Sequence, residues 1–299
     1  MRCVKDRWKR NPVDTKQKIL DIIRQKNTQL PTLPVIVDNI LNIARDERTS
    51  AKDLAEFIER DQAITTKVLR LANSAYYGLM KEVDSISRAI AIIGFNEVIG
   101  MTIGMNVFSV FGKKDANNIF DMEKLWLHSI ACATAARQIA TRKRIGEVDK
   151  LFLVGLLHDI GKVIFSKYLP EEYACVFKQA RDSEVPLYRI EKETLGIDHA
   201  VLSGVLMKRW NFPDNLLLPS HFHHNSLSCP PFYQTFALIV ELADYVSLKT
   251  KIGGSGNSVP PKVHDISRKL GFSSKEVLLI EDELRDQQSS IEEFLKLIS

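Results

Sequence analysis

One stretch of this sequence, residues 148–165, limits the folds open to the chain more than any other. It begins as an almost continuous apolar run and is then interrupted by His158, Asp159, Gly161 and Lys162. The apolar run predicts a buried helix, and an imidazole beside a carboxylate at a buried helix end is costly unless both are partnered. Two interpretations stand at this point. A divalent cation binds both side chains, or the helix simply ends near Gly161 with Asp159 and Lys162 in solvent.

Apolar residues recur at helical spacing elsewhere in the chain, as in 68–75 and 86–93. The first half shows no sustained alternation with a period of two residues, which is the pattern of a half-buried strand. Ser50 followed by Asp53 is typical of a capping box at a helix start, and Gly94 is typical of a helix stop. The sequence therefore predicts an all-α fold.

Three units are predicted from changes in composition. Residues 1–27 form a basic N-terminal segment with a short amphipathic helix, and residues 28–112 form a helical subdomain. Residues 112–118 are polar and turn-rich, which favours a boundary there, and residues 119–299 form a second helical unit. Within that unit a Gly/Ser/Pro-rich linker precedes one or two closing helices that begin at Ser273.

Charge and cysteine content exclude several classes of protein. The chain has 41 Lys and Arg against 37 Asp and Glu, but residues 1–30 hold nine basic against three acidic residues. The rest of the chain is therefore near neutral, which disfavours nucleic-acid binding. There is no apolar run long enough to cross a membrane and no secretory signal, so we expect a cytoplasmic protein with no membrane partner. The four cysteines form no C-x-x-C pair, which disfavours a structural zinc site.

The second unit is rich in residues that bind metals. His128 alone would be read as a hydrogen-bonded core residue, but three imidazoles in four residues at 221–224 form an unusual cluster. Five imidazoles and two carboxylates fit a mixed nitrogen and oxygen site for a divalent ion such as iron, manganese or zinc, and neighbouring ligands leave one ion or two open. The candidate ligands are His128, His158, Asp159, His199, His223, His224 and Asp244.

Residues 156–162, Leu-Leu-His-Asp-Ile-Gly-Lys, resemble the motif of the HD superfamily of metal-dependent phosphohydrolases. Further motifs resemble the HDOD family, the HD-related output domains of bacterial signalling proteins. These motifs are Leu30-Pro31-Thr32-Leu33-Pro34, Asp61-Gln62, Leu71-Ala72-Asn73-Ser74-Ala75, Ala89-Ile90-Ala91-Ile92-Ile93-Gly94, Trp210-Asn211-Phe212-Pro213 and His223-His224. The resemblance covers about residues 28–250.

This resemblance implies an N-terminal helical bundle packed on an HD-type helical core and a role in signal transduction through a protein partner. It also implies that the candidate ligands named above hold divalent metal, Fe or Mn first, with Zn, Ni or Mg as alternatives. Asp159 and Lys162 would be the catalytic residues if the protein is an enzyme, with Lys162 facing a phosphate or substrate. No sensor region precedes residue 28, so we expect a stand-alone HDOD protein.

The chain departs from the related HD-GYP phosphodiesterases. The Gly-Tyr-Pro motif that follows their His-His pair is absent here, where residues 225–231 read Asn-Ser-Leu-Ser-Cys-Pro-Pro. Some of those enzymes also carry a glutamate where this chain has Lys124. The absent motif disfavours hydrolysis of cyclic di-GMP, and the cation at Lys124 disfavours a third metal.

Two functional hypotheses follow. The first is a regulatory module that recognises a protein partner and carries a divalent metal site in its core. The second is an active metal-dependent phosphohydrolase acting on a nucleotide or phosphodiester, in which the ion activates water and Lys162 stabilises developing charge. Nucleic-acid binding through residues 1–30 ranks last.

Overall fold

A computed structural model describes residues 15–17, 19–21, 35–45, 48–111, 121–257, 259–260 and 264–298. Most of the predicted N-terminal helix, the motif at 30–34 and the predicted boundary at 112–118 lie outside these described residues. Within them every regular element is helical, which confirms the all-α prediction.

Sixteen helices have both of their ends among the described residues, and a short 3₁₀ turn covers Ser226–Ser228. Residues 15–17 and 19–21 are also helical. The helices are α1 Val35–Arg45, α2 Ala51–Glu59, α3 Gln62–Ala72, α4 Ile86–Ile93, α5 Phe95–Phe111, α6 Met122–Arg142, α7 Val148–Leu157, α8 Ile160–Tyr168, α9 Pro170–Ser183, α10 Leu187–Leu195, α11 His199–Arg209, α12 Asp214–His221, α13 Pro231–Thr250, α14 His264–Lys269, α15 Ser274–Asp286 and α16 Gln288–Ile298.

Local side-chain hydrogen bonds set several of the predicted helix ends. Ser50 and Asp53 form both bonds of a capping box at the start of α2, and Gly94 closes α4 with a φ of 103°. Asn73, inside a predicted apolar stripe, exchanges two hydrogen bonds with the backbone of Val83. Ser74 donates to the Leu71 carbonyl, so both polar residues bond to backbone.

Helices α1–α5 form an N-terminal bundle, and α5 packs on α7 of the second unit. The last helix, α16, packs on α3 and α5 of the bundle and also on α6 of the second unit. It therefore contacts both units. Their buried side chains form one continuous core.

In the described part of the chain no single helix is long and apolar enough to cross a bilayer. The pair α4 and α5, with a bend of 116° between them, reaches the length and apolar content of a span, judged by length and composition only.

The second unit differs from the sequence prediction at two helix ends. The apolar run of residues 148–165 is two helices, α7 and α8, separated by a turn at His158 and Asp159. The helix predicted to run from Asn215 to about Asn225 ends at His221, so the last two histidines of the 221–224 cluster lie in the turns that follow. Both changes place imidazoles at irregular backbone, where their direction is not fixed by a helix.

Gly155 lets α7 approach α6 closely. A Cβ at this position would lie 2.7 Å from the Cα of Ala133 and 2.8 Å from its nitrogen. Neither backbone atom can move aside as a flexible side chain would. The close contact brings the C-terminal end of α7 against the middle of α6, which is where His158 and His128 are needed.

Gly155→Ala is therefore expected to destabilise the protein by about 1–3 kcal/mol through overpacking. Gly146→Ala is the matched control, because a Cβ there meets nothing within 4 Å. The control should be neutral or stabilising by about 0.4–1 kcal/mol. Urea unfolding measures both, and equal stability of the two variants would contradict the role of Gly155.

The two units meet at a buried cluster around Glu97. This carboxylate is 2 % exposed and accepts a hydrogen bond from the Tyr77 hydroxyl at 2.7 Å. The Arg137 guanidinium of α6 lies 3.4 Å from the same oxygen and 4.8 Å from the centroid of the Tyr76 ring. Burial raises the pKa of Glu97 to about 7, although Arg137 and the Tyr77 hydroxyl oppose the shift. The joint thus contains a carboxyl that changes charge near neutral pH.

Glu97→Gln is expected to flatten the dependence of stability on pH. The carboxyl ionises near pH 4.5 when unperturbed and near pH 7 in the folded protein, so raising the pH through this window favours the unfolded state. The stability of the variant relative to wild type should rise by about 3 kcal/mol between about pH 5 and pH 8, as measured by urea unfolding. Glu56→Gln, at an exposed position, should show no such rise. Parallel pH profiles for wild type and Glu97→Gln would rule out this effect.

Candidate metal centre

The predicted ligands converge from five parts of the second unit. The middle of α6, the turn between α7 and α8, the start of α11, the turns after α12 and the middle of α13 all contribute. The structure brings together all seven side chains named from the sequence, which are His128, His158, Asp159, His199, His223, His224 and Asp244. Six of them are at most 3 % exposed, and only His224 is half-buried.

Asp159 lies between two groups of donors and turns one carboxylate oxygen toward each. Its Oδ2 is 3.4 Å from Nε2 of His158 and 3.6 Å from Nε2 of His128. Asp244 completes this first group, with its Oδ1 3.0 Å from Nε2 of His128 and 3.8 Å from Nε2 of His158. The first group is therefore two imidazoles and two carboxylates.

The second group faces the other oxygen of Asp159. Its Oδ1 is 3.1 Å from Nε2 of His199 and 3.8 Å from Nε2 of His223. Nε2 of His224 lies 2.8 Å from Nε2 of His199. Donors about 2.1 Å from one shared ion stand roughly 3 to 3.5 Å apart, so both groups have the spacing of ligands around a metal.

Hydrogen bonds on the far side of the rings hold four of the imidazoles with Nε2 toward the carboxylates. Nδ1 of His158 lies 2.7 Å from the Gly155 carbonyl, and Nδ1 of His223 lies 2.6 Å from the Ser220 carbonyl. A carbonyl only accepts, so each of these Nδ1 atoms carries a proton, and in the neutral ring the lone pair is then on Nε2. This is the tautomer of a metal ligand with an outer partner.

The other two rings are held by side chains. Nδ1 of His199 donates to Glu191 Oε2 at 2.5 Å, and Nδ1 of His128 lies 3.0 Å from the Ser247 hydroxyl. Neither outer residue was identified from the sequence. Glu191 sits on an amphipathic helix and Ser247 on an apolar one, and only their contacts across the fold distinguish them.

Several inner atoms of the two groups lack hydrogen bonds. Nε2 of His128, His158 and His223 and Oδ1 of Asp159 are buried without a hydrogen-bond partner. Buried polar atoms are seldom left unpaired, and a divalent cation in each group would satisfy them. The donor set, mixed nitrogen and oxygen without thiolate, therefore fits a divalent metal in general.

The charges of the cluster keep the central carboxylate ionised. Although burial opposes ionisation, His158, Lys162 and His199 hold the pKa of Asp159 well below its usual range. Burial lowers the pKa of His223 well below its usual range. An anionic carboxylate and a neutral imidazole are the forms that bind a cation.

Lys162 lies beside the cluster as expected, but its ammonium is turned to Asp159. The side chain is 2 % exposed, and Nζ donates to Asp159 Oδ2 at 2.6 Å. The alternative of an ordinary helix end is therefore wrong. Asp159 and Lys162 are buried, and Gly161 lies inside α8, where a Cβ would come within 2.2 Å of the His199 carbonyl oxygen.

The turn between α7 and α8 is fixed from α11. The Ser203 hydroxyl donates to the His158 carbonyl at 2.7 Å and accepts from the backbone nitrogen of Gly161 at 2.9 Å. These two bonds hold the ends of the turn on either side of Asp159. They explain why an apolar run breaks where it does.

Fold and cluster together define a class: an all-helical protein with a buried histidine and carboxylate centre suited to divalent metal. The chain belongs to the HDOD domain family, whose family model matches residues 30–226. Among curated proteins it is 24% identical over 230 residues to an uncharacterized protein of Treponema pallidum (strain Nichols), covering 76% of this chain and 44% of the relative. The chain thus spans less than half the length of that relative.

Solved structures share the fold. An HDOD domain protein of unknown function from Geobacter sulfurreducens superposes with a TM-score of 0.77 at 23% identity, over 96% of this chain and 98% of the other. A candidate signal transduction protein from Marinobacter aquaeolei VT8 gives 0.76 at 21% identity, over 96% and 66%. A candidate phosphohydrolase from Shewanella amazonensis SB2B gives 0.72 at 22% identity, over 95% and 98%.

Proposed function

We propose that this chain is a regulatory signalling protein whose HD-like core binds two divalent metal ions, with Fe or Mn as the first candidates. The carrying observation is the position of Asp159, with one ionised oxygen toward each group of imidazole Nε2 atoms. The similarity to a candidate signal transduction protein supports the regulatory role. As a regulatory module it acts through a protein partner.

The two groups divide the ligands between the ions. His128, His158, Asp244 and Oδ2 of Asp159 would hold the first ion. His199, His223, His224 and Oδ1 of Asp159 would hold the second. Lys162 anchors the shared carboxylate from the side of Oδ2. Such ions, when bound, polarise a phosphoryl oxygen and lower the pKa of water.

Elemental analysis of protein purified without chelators tests the centre. The expected result is two divalent ions per chain, a loss in His223→Ala, and no loss in His221→Ala. His221 is the matched control, because its ring packs against Gly204 and not on either group. Absence of stoichiometric metal in wild type, or unchanged metal in His223→Ala, would contradict the proposal.

A phosphohydrolase acting on a nucleotide or phosphodiester is the second candidate. One observation in its favour is that His224 is only half-buried, so a ligand could reach the centre beside this residue. Another is the ammonium group of Lys162 beside Asp159. Turnover of a generic phosphomonoester or phosphodiester by the Mn- or Fe-loaded protein is the test. Hydrolysis that is lost in Lys162→Met at unchanged metal content would support it. No turnover by fully loaded wild type would remove it.

A further inference from the structure

One helix of the second unit, α10, contacts two ligands of the second group. The ring of Tyr188, in the first turn of α10, stacks on the imidazole of His224 with centroids 4.4 Å apart and planes at 19°. Three residues later, Glu191 accepts from both Nδ1 and the backbone nitrogen of His199, at 2.5 and 2.8 Å. Residues three apart share one face of a helix, so α10 holds two of the three histidines of this group.

The ring of His224 has no hydrogen bond on its outer side. The rings of His158 and His223 are each fixed by an Nδ1 bond to a backbone carbonyl, whereas Nδ1 of His224 has no hydrogen-bond partner. The ring of His224 is also half-buried. Apart from the contact of its Nε2 with Nε2 of His199, its direction is set by packing, and the ring of Tyr188 is the packing surface on its stacked side.

The first group is built without α10. His128 is held by Ser247 of α13, and His158 by the carbonyl of Gly155 in α7. Both imidazoles and Asp244 are at most 3 % exposed. A change in α10 therefore reaches the second group directly, and the first group through Asp159 and through the contact between the rings of His158 and His223.

The outer attachments of α10 are few. Its backbone begins at Leu187, whose nitrogen donates to Asn257 Oδ1 at 3.2 Å, and its first turn has no side-chain cap. On its inner face the Tyr173 hydroxyl donates to Glu191 Oε1 at 2.7 Å. Tyr188 itself is half-buried. The helix that contacts the second group is thus only nine residues long.

We propose that Tyr188 and Glu191 are positioning residues that strengthen binding of the second metal ion separately from binding of the first. The inference rests on the proposed two-ion centre. Losing an outer partner of a ligand weakens metal affinity about 10- to 100-fold. Helix α10 supplies such partners to the second group. Their loss should therefore weaken binding of the second ion and leave the affinity for the first ion nearly unchanged.

Titration of the metal-free full-length protein with Mn²⁺ tests this, with free Mn²⁺ measured by its electron paramagnetic resonance signal. Wild type should bind two ions. In Tyr188→Ala and in Glu191→Gln the weaker dissociation constant should rise about 10- to 100-fold, while the tighter one stays within about twofold. Tyr188→Phe keeps the stacked ring and should restore wild-type binding. Glu193→Gln, exposed on the same helix, is the unchanged control.

The outcomes separate the inference from the proposed function. Absence of Mn²⁺ binding in wild type removes the metal centre and this inference with it. Two ions in wild type, with both affinities unchanged in Tyr188→Ala and Glu191→Gln, overturn the inference alone, as does an equal loss of both ions. Far-UV circular dichroism checks that each variant is folded. If Tyr188→Ala does not fold, the comparison of Glu191→Gln with wild type decides the result.

Discussion

Replacing Asp159 with asparagine is expected to release both metal ions from the protein. Asp159 is the residue whose two oxygens face different groups, 3.4 Å from Nε2 of His158 and 3.1 Å from Nε2 of His199. Asparagine keeps the shape but removes the negative charge and offers a single acceptor oxygen. Affinity for each ion should fall by more than the roughly 10- to 100-fold that loss of an outer partner costs.

Metal content per folded chain, by elemental analysis after dialysis, measures this loss. Asp182→Asn is the matched control, because Asp182 is exposed and pairs with Lys178 on the surface. The control should keep the wild-type content. Two ions retained in Asp159→Asn would show that the carboxylate is not shared, and one ion retained would assign it to a single group.

The same substitution leaves Lys162 buried without its anionic partner. Breaking a buried ion pair on one side costs about 3–5 kcal/mol, so the metal-free variant should unfold at lower urea than metal-free wild type. Adding Lys162→Met should recover part of that loss, because no buried charge then lacks a partner. A double variant no more stable than Asp159→Asn would mean that Lys162 finds another partner.

Helix positions were predictable because their signals are local. The capping box of Ser50 and Asp53 and the stop at Gly94 depend on atoms within four residues of the helix end. The apolar periodicity likewise depends on neighbouring turns. Capping residues and apolar periodicity can therefore both be recognised in short stretches of sequence, and the structure confirms the helices that they predict.

The break at His158 and Asp159 was not predictable in this way. The hydrogen bonds that hold it come from Ser203, more than forty residues away. A continuous apolar run gives no sign of where a distant hydroxyl will interrupt it. The same limit applies to the end of α12 before His223.

The types of ligand in the centre were evident from the sequence, but their grouping was not. Which Nε2 faces which oxygen of Asp159 depends on how α6, α11 and α13 pack against the turn at Asp159. The outer partners Glu191 and Ser247 occupy ordinary positions of helices and carry no motif. The sequence therefore predicts the types of metal-binding side chain, whereas the packing of the helices determines how these side chains are grouped.

Arg137→Met is expected to destabilise the joint between the two helical units by about 3–5 kcal/mol. In the described part of the chain, Arg137 is the cation recorded at the buried Glu97 carboxylate, 3.4 Å from Oε1, and Oε2 has no hydrogen-bond partner. The guanidinium also lies over the rings of Tyr76, Tyr77 and Phe152, at 4.8, 5.9 and 5.8 Å from their centroids. Methionine keeps apolar contact with these rings and removes the charge, so the loss measures the ion pair.

The pH dependence distinguishes this electrostatic loss from a packing defect. The pKa of Glu97 is raised to about 7 by burial even with Arg137 present, so its carboxyl is mostly protonated at about pH 5.5 and ionised at about pH 8. The cost of Arg137→Met, from urea unfolding, should be small at the lower pH and reach its full size at the higher one. Arg142→Met on the same helix, which removes a partly exposed pair with Glu283, should cost under about 1 kcal/mol at both. Adding Glu97→Gln to Arg137→Met should restore most of the loss at about pH 8, and a pH-independent cost that this second change does not relieve would assign Arg137 to packing alone.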